Sequence, residues 1–287
     1  MAALLAEWEE LLQRRAAFRE TLKPLSPILA AWAAWPPGRI VPLRWIAESW
    51  CACWAKGVPL LAEAPPRFQR ENLDEVLGPA LDLLAGFGED LTPLREFAEG
   101  WDRGEIEPSA LLPERGRIGA VEIQERCHLS QDALALLAAV GLRPALEAYF
   151  AECRPHIEGS GWDLGICPCC GAPPGFADLL EDGRRQLVCH LCGSAWIFGR
   201  LVCPFCGNRT AKDFVRLLAE DKDEGFAINA CRACRGYVKE LDRRVRWNAG
   251  SALVEDWGSP HLDLIAYRQD YWRPIPTLVQ LAPPRAV

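Results

Sequence analysis

At about 150 residues per domain, 287 residues make two domains, or one domain with appended modules. Half of the residues are hydrophobic and a quarter charged, which supplies a core and excludes wholesale disorder. Thirty-nine acidic against 32 basic residues give a net charge of −7, which argues against a nucleic-acid backbone as the main partner.

In chain order, Leu4, Leu5, Trp8, Leu11 and Leu12 recur at the 3.6-residue period and predict an N-terminal helix with one apolar stripe. Ser26-Pro27 reads as an N-cap followed by proline at the first helical position, opening a short helix that Pro36-Pro37-Gly38 stops. A further helix is expected from near Pro42 to near Gly57 and another over 72–85, whereas 86–117 shows no defined pattern. Ser130 predicts the cap of a helix over 131–140 that Gly141 closes, with Pro144 starting another that ends before Pro155. Residues 1–157 therefore read as an α-helical domain, with Trp8, Trp32, Trp35, Trp45, Trp50 and Trp54 as large core anchors.

At about Glu158 the composition changes, and Gly159-Ser160-Gly161 reads as a linker. Short alternating segments over 186–188, 214–218 and 226–228 flank polar turns at 181–183 and 220–225, the pattern of β-hairpins. Residues 162–200 and 201–250 are expected to form two small β modules. Residues 251–287 follow as a C-terminal segment, with a short capped helix over 259–267 and a proline-bearing tail from Pro274 lying extended on the surface. The expected fold class is α+β and multidomain: an N-terminal α-helical domain, then two tandem rubredoxin-like or zinc-ribbon four-cysteine β modules.

No apolar run approaches the ~20 residues of a bilayer span. Arg14-Arg15 is followed by no apolar region, so neither a secretory nor a twin-arginine signal is read and a cytoplasmic protein is expected. In that reducing compartment, closely spaced cysteines are more often metal ligands or redox groups than disulfides. Of the 13 cysteines, nine lie between Cys167 and Cys234. Cys167-Pro-Cys169-Cys170-Gly171 is followed by Cys189-His190-Leu-Cys192-Gly193, and Cys203-Pro-Phe-Cys206-Gly207 by Cys231-Arg-Ala-Cys234. Each half is two CxxC pairs joined by a hairpin-length insert, the spacing of a four-cysteine zinc ribbon or rubredoxin-type site. Two intervening residues let a tight turn aim both sulfurs at one ion, and a glycine after the second cysteine permits the positive φ that closes the turn.

The frame assigns Cys167, Cys170, Cys189 and Cys192 to one ion and Cys203, Cys206, Cys231 and Cys234 to the other, leaving Cys169 as a spare thiol or alternative ligand. Tetrahedral sulfur sites serve zinc and iron alike, and a closed site staples a small module whether or not it also binds or transfers electrons. Cys51 and Cys53 stand about 200° apart on a helix and read as packing residues, as do Cys127 and Cys153. His190 reads as solvent-facing, and the arginines and Lys239 near the cysteines read mostly as solvated surface. His261 reads equally as a helix-start residue or a site. No catalytic triad order, phosphate-cradling loop or dinucleotide fingerprint is present, so an enzyme is not expected.

The tandem cysteine sites, the stretch Cys231-Arg-Ala-Cys234-Arg-Gly-Tyr237-Val-Lys239 and the segment His261-Leu-Asp263-Leu-Ile-Ala266 together resemble the FdhE family of formate dehydrogenase accessory proteins. The resemblance is specific over 167–266 and looser over the helical half. It implies a non-catalytic maturation factor that binds the formate dehydrogenase catalytic subunit in the cytoplasm before export. It also implies two metal ions held by the same eight cysteines, iron before zinc. Rubredoxin-like electron transfer is the alternative. A nucleic-acid-binding ribbon is disfavoured, because thiolate charge offsets most of the +3 balance of residues 201–250.

Overall fold

The computed structural model describes residues 1–281 except 89, 115 and 219–222. The N-terminal helix is Ala2–Arg14, and its stripe buries Trp8 and Leu11. Helix Ser26–Ala34 starts where Ser26-Pro27 predicts, yet Ser26 caps nothing; its Oγ accepts from the Trp8 indole at 3.0 Å. The helix expected from Pro42 begins only at Ala47 and ends at Ala55, because Leu43 N–H bonds outward to the Tyr149 carbonyl and holds the preceding chain extended. Glu71–Ala85 is helical as expected, and 86–117 contains the helix Thr92–Asp102, which buries Phe97 and Trp101.

The two helices expected around Gly141 are a single helix, Gln131–Tyr149, of 19 residues. Ser130 does cap it, accepting from Ala133 N–H at 3.1 Å. Gly141 closes nothing. Leu77 lies against it so closely that an added Cβ would come within 2.7 Å of Leu77 Cδ2. Pro144 has no N–H for the Val140 carbonyl. The Trp32 indole donates to that carbonyl instead, at 2.9 Å, and the helix continues.

The second half builds one six-stranded mixed sheet: β1 (Phe176–Leu179), β2 (Arg185–Val188), β3 (Ala195–Phe198), β4 (Phe214–Leu218), β5 (Phe226–Cys231) and β6 (Tyr237–Asp242). The order is β3-β2-β1-β6-β5-β4. Each cysteine module contributes an antiparallel three-stranded meander, and the two join through a parallel β1–β6 pair. Parallel joining follows because the second module repeats the first in the same orientation, setting the first strand of one beside the last of the other.

Register divides the side chains between two faces. Phe176, Phe226, Tyr237 and Leu241 face helices Ala252–Trp257 and Pro260–Tyr267, forming a second core with Leu262 and Ala266. Ala177, Leu187, Trp196 and Val238 face the other way and join the core of the helical half. The described part of the tail does not lie extended on the surface. Ile275 is buried and Leu278–Leu281 is helical, while 282–287 fall outside the described residues. Among the described residues no single helix is long and apolar enough to cross a membrane.

Candidate metal centres

Three of the four cysteine turns are built alike. The amide of the first cysteine bonds to a carbonyl five residues on, and a glycine four residues on returns its N–H to that cysteine's carbonyl: Gly171 to Cys167, Gly193 to Cys189 and Gly207 to Cys203, at 2.9, 3.0 and 2.9 Å. Those glycines sit at φ 76°, 75° and 70°, where a side chain is strained. In the fourth turn Arg235 takes the same position at φ 61°. Its guanidinium donates to the Gln269 and Asp270 carbonyls and lies 4.2 Å from the Tyr271 ring centroid.

The hairpins bring facing turns together. Cys167, Cys170, Cys189 and Cys192 form one group and Cys203, Cys206, Cys231 and Cys234 another, with all sulfurs of a group within 4.8 Å of one another. The closest pairs are Cys167–Cys192 and Cys170–Cys189 at 3.5 Å, Cys203–Cys234 at 3.6 Å and Cys206–Cys231 at 3.8 Å. A tetrahedron with metal–sulfur bonds of about 2.3 Å has sulfur–sulfur edges of about 3.8 Å, so both donor sets fit one ion each. The two groups thus offer places for two metal ions, and their chemistry suits zinc or iron.

Their surroundings differ. All four sulfurs of the first group belong to buried residues, whereas Cys206 of the second is exposed and Cys234 half-buried. Burial pushes the Cys167, Cys170 and Cys189 thiols well above their usual value. Burial also raises Cys192, but hydrogen bonds from the other three thiols and the Arg154 charge outweigh it and bring Cys192 well below. In the second group burial raises Cys203, and raises Cys234 to about 11. Burial acts on Cys231 as well, but the Cys234 and Ala233 amides and the Asn208 side chain overcome it and bring that thiol to about 7. A bound ion must displace the remaining thiol protons.

The first centre is set into the helical half. Trp54 Nε1 and Leu60 N–H donate to the Pro168 carbonyl, Leu61 N–H to Cys169, Arg143 to His190 and Arg154 to Cys192. Cys169 belongs to neither group; its sulfur lies 3.6 Å from that of buried Cys153. On helix Ala47–Ala55 Cys51 is exposed and does not pack as expected, whereas Cys53 is half-buried against the core, and Cys127 is buried outside both groups.

Two readings of charged residues need correction. His190 is 3 % exposed instead of solvent-facing, and Lys239 is 0 % exposed instead of solvated. Lys239 Nζ lies 2.9 Å from Asp256 and 2.7 Å from Asp263, and Arg273 reaches the same two carboxylates at 2.8 and 3.4 Å. Burial alone would raise the Asp256 carboxyl, but Arg273 and Lys239 hold it well below the usual carboxylate range. Tyr237 O–H donates to Asp263 at 2.8 Å. The Tyr237-Val-Lys239 stretch and Asp263 therefore meet in a closed ionic network that pins the two C-terminal helices to the sheet. His261 begins helix Pro260–Tyr267, stacked on Phe18.

No family model matches the chain. Among curated proteins it is 36 % identical over 126 residues to a protein FdhE homolog of Stutzerimonas stutzeri, a match covering 42 % of this chain and 40 % of that protein. It is 30 % identical over 149 residues to the homolog of Aquifex aeolicus, half of each chain, and 28 % identical over 256 residues to that of Pseudomonas aeruginosa, 78 % of each. The chain thus spans half or less of the first two relatives' length. The crystal structure of the FdhE protein from Pseudomonas aeruginosa shares the fold, with a TM-score of 0.61 at 22 % identity over 99 % of this chain and 97 % of that one. With an α+β fold carrying two zinc-ribbon-like modules, the chain is thus similar in sequence to several FdhE homologs and shares its fold with one solved FdhE protein.

Proposed function

We propose that this chain is a non-catalytic accessory factor in the maturation of formate dehydrogenase, binding the enzyme's catalytic subunit in the cytoplasm before export. The ligands we assign are Cys167, Cys170, Cys189 and Cys192 for one ion and Cys203, Cys206, Cys231 and Cys234 for the other, with iron as the family's metal and zinc as the alternative. The observation that carries this reading is the gathering of eight cysteines, four and four, in a chain similar in sequence to FdhE homologs. A buried first centre and a partly exposed second suit a scaffold stapled at one end and presenting a metal-stiffened surface at the other. Deleting the gene is expected to abolish formate dehydrogenase activity, and the tagged protein to co-purify with the catalytic subunit. Undiminished activity in the deletion strain rules the reading out.

Exposure of Cys206 favours a second reading, electron transfer through rubredoxin-type iron at the second centre. A ferric-thiolate absorption that bleaches reversibly on reduction supports it. A colourless native protein holding two zinc ions excludes it.

A further inference from the structure

On the sheet face opposite the C-terminal helices, register places four polar side chains on a diagonal: Arg216 on β4 opposite Asn229 on β5, then Glu240 on β6 and Arg185 on β2, each displaced two residues along the strand direction. Arg216 Nη1 lies 3.1 Å from Asn229 and 2.6 Å from Glu240. Arg185 is treated differently. It is 4 % exposed, and among the described residues its side chain makes one hydrogen bond, from Nη1 to the Arg200 carbonyl at 3.4 Å, while Nε and Nη2 have no partner. Glu240, the nearest carboxylate, stands 3.9 Å from Nε, beyond hydrogen-bond reach, and is already engaged by Arg216.

Nε–H and the Nη2–H beside it form the side-on fork with which a guanidinium grips two oxygens of a planar anion. Leaving a buried, charged donor pair unfilled is costly, and that cost falls when an acceptor is supplied. A cavity of about 190 Å³ is lined by Arg185, Arg200, Arg216 and Glu240 together with Cys203 and Cys231 of the second centre. Among the described residues that line it, three are arginines and one is a carboxylate. Burial pulls the Arg185 guanidinium below its usual value, and Glu240 offsets this only in part. Compensating the neighbouring thiolates does not occupy the fork, since neither donor makes a hydrogen bond to sulfur. Arg200 and Arg216 are exposed at the rim and can swing aside for entry.

We propose that this cavity binds a small free carboxylate, held side-on by the Arg185 fork beside the second metal centre. The site does not depend on the assembly-factor reading. Its test is calorimetric titration of the metal-loaded full chain with acetate and with formate, at constant ionic strength against chloride, alongside thermal unfolding. Saturable binding and a carboxylate-dependent rise in Tm are expected. Arg185→Gln should weaken binding at least about tenfold, and Arg185→Lys should not restore it, because an ammonium restores the charge without the fork. Arg200→Gln, at the exposed rim, should weaken binding severalfold with metal content unchanged. Absence of saturable binding in the unsubstituted protein, a chloride effect of equal size, or an unchanged affinity in either folded glutamine variant overturns the proposal.

Discussion

At the residue scale, the fourth cysteine turn departs from the other three by a single side chain. A non-glycine residue at φ 61° carries a steric cost of about 1 kcal/mol, which Gly171, Gly193 and Gly207 avoid. Arg235 offsets it from outside the turn. Its guanidinium ties the turn to residues 269–271, and its carbonyl accepts from Trp272 N–H at 2.9 Å, so the second centre is bound to the chain segment after helix Pro260–Tyr267. The two contributions separate in a pair of variants. Arg235→Ala keeps the strain and loses the tether, and is expected to destabilise the metal-loaded protein by about 2 kcal/mol in urea unfolding. Arg235→Gly loses the tether but relieves the strain, and should lie about 1 kcal/mol above the alanine variant. If the glycine variant is the less stable of the two, backbone conformation is not what distinguishes this turn.

At the element scale, helix Gln131–Tyr149 shows how a local breaker is overridden. Pro144 removes the donor for the Val140 carbonyl, and the Trp32 indole fills the place at 2.9 Å in a buried site. Trp32→Phe is expected to cost about 2–3 kcal/mol, since it leaves a buried carbonyl unpaired and trims a fully buried ring. Pro144→Ala returns a backbone donor, so the double variant should be less destabilised than the two single effects predict; strict additivity in urea unfolding would show that the carbonyl does not couple them. The same helix marks the limit of what the sequence reveals. Three cysteine turns are legible because two cysteines and a closing glycine within five residues carry the geometry, and strands near 186–188, 214–218 and 226–228 are legible from alternation flanking turn residues. Continuity through Gly141 and Pro144 is not, because the compensating donor lies 108 positions away in sequence. Lys239 reads as surface in the sequence for the same reason: Asp256 and Asp263, which neutralise it, come from helices that pack onto the sheet only in the folded chain. The helix Thr92–Asp102 is not legible in the sequence because it sits among glycines and prolines, and its buried Phe97 and Trp101 are the part of its stripe that tertiary packing selects.

At the scale of the whole molecule, two cysteine groups of equal chemistry are placed in unequal settings, and that difference decides how each would hold a metal ion. The helical half grips the first pair of turns through Trp54, Leu60, Leu61, Arg143 and Arg154, and every cysteine of that group is 1 % exposed or less. The second group sits at the far end of the sheet, where Cys206 is open to solvent. A chelator removes an ion by entering its coordination shell while thiolates leave one at a time, and only the second centre allows that without unfolding. In native buffer a strong chelator is therefore expected to extract one equivalent of metal quickly and leave the other, which should be released only in step with unfolding in urea. The ligand assignment makes the two phases distinguishable: Cys206→Ser should abolish the fast equivalent and leave a folded protein with one ion, whereas Cys170→Ser should lower the stability of the whole chain, since its centre lies within the core that joins helices to sheet. Release of both equivalents at one rate, measured with a colorimetric chelator, would show that burial does not separate the two centres.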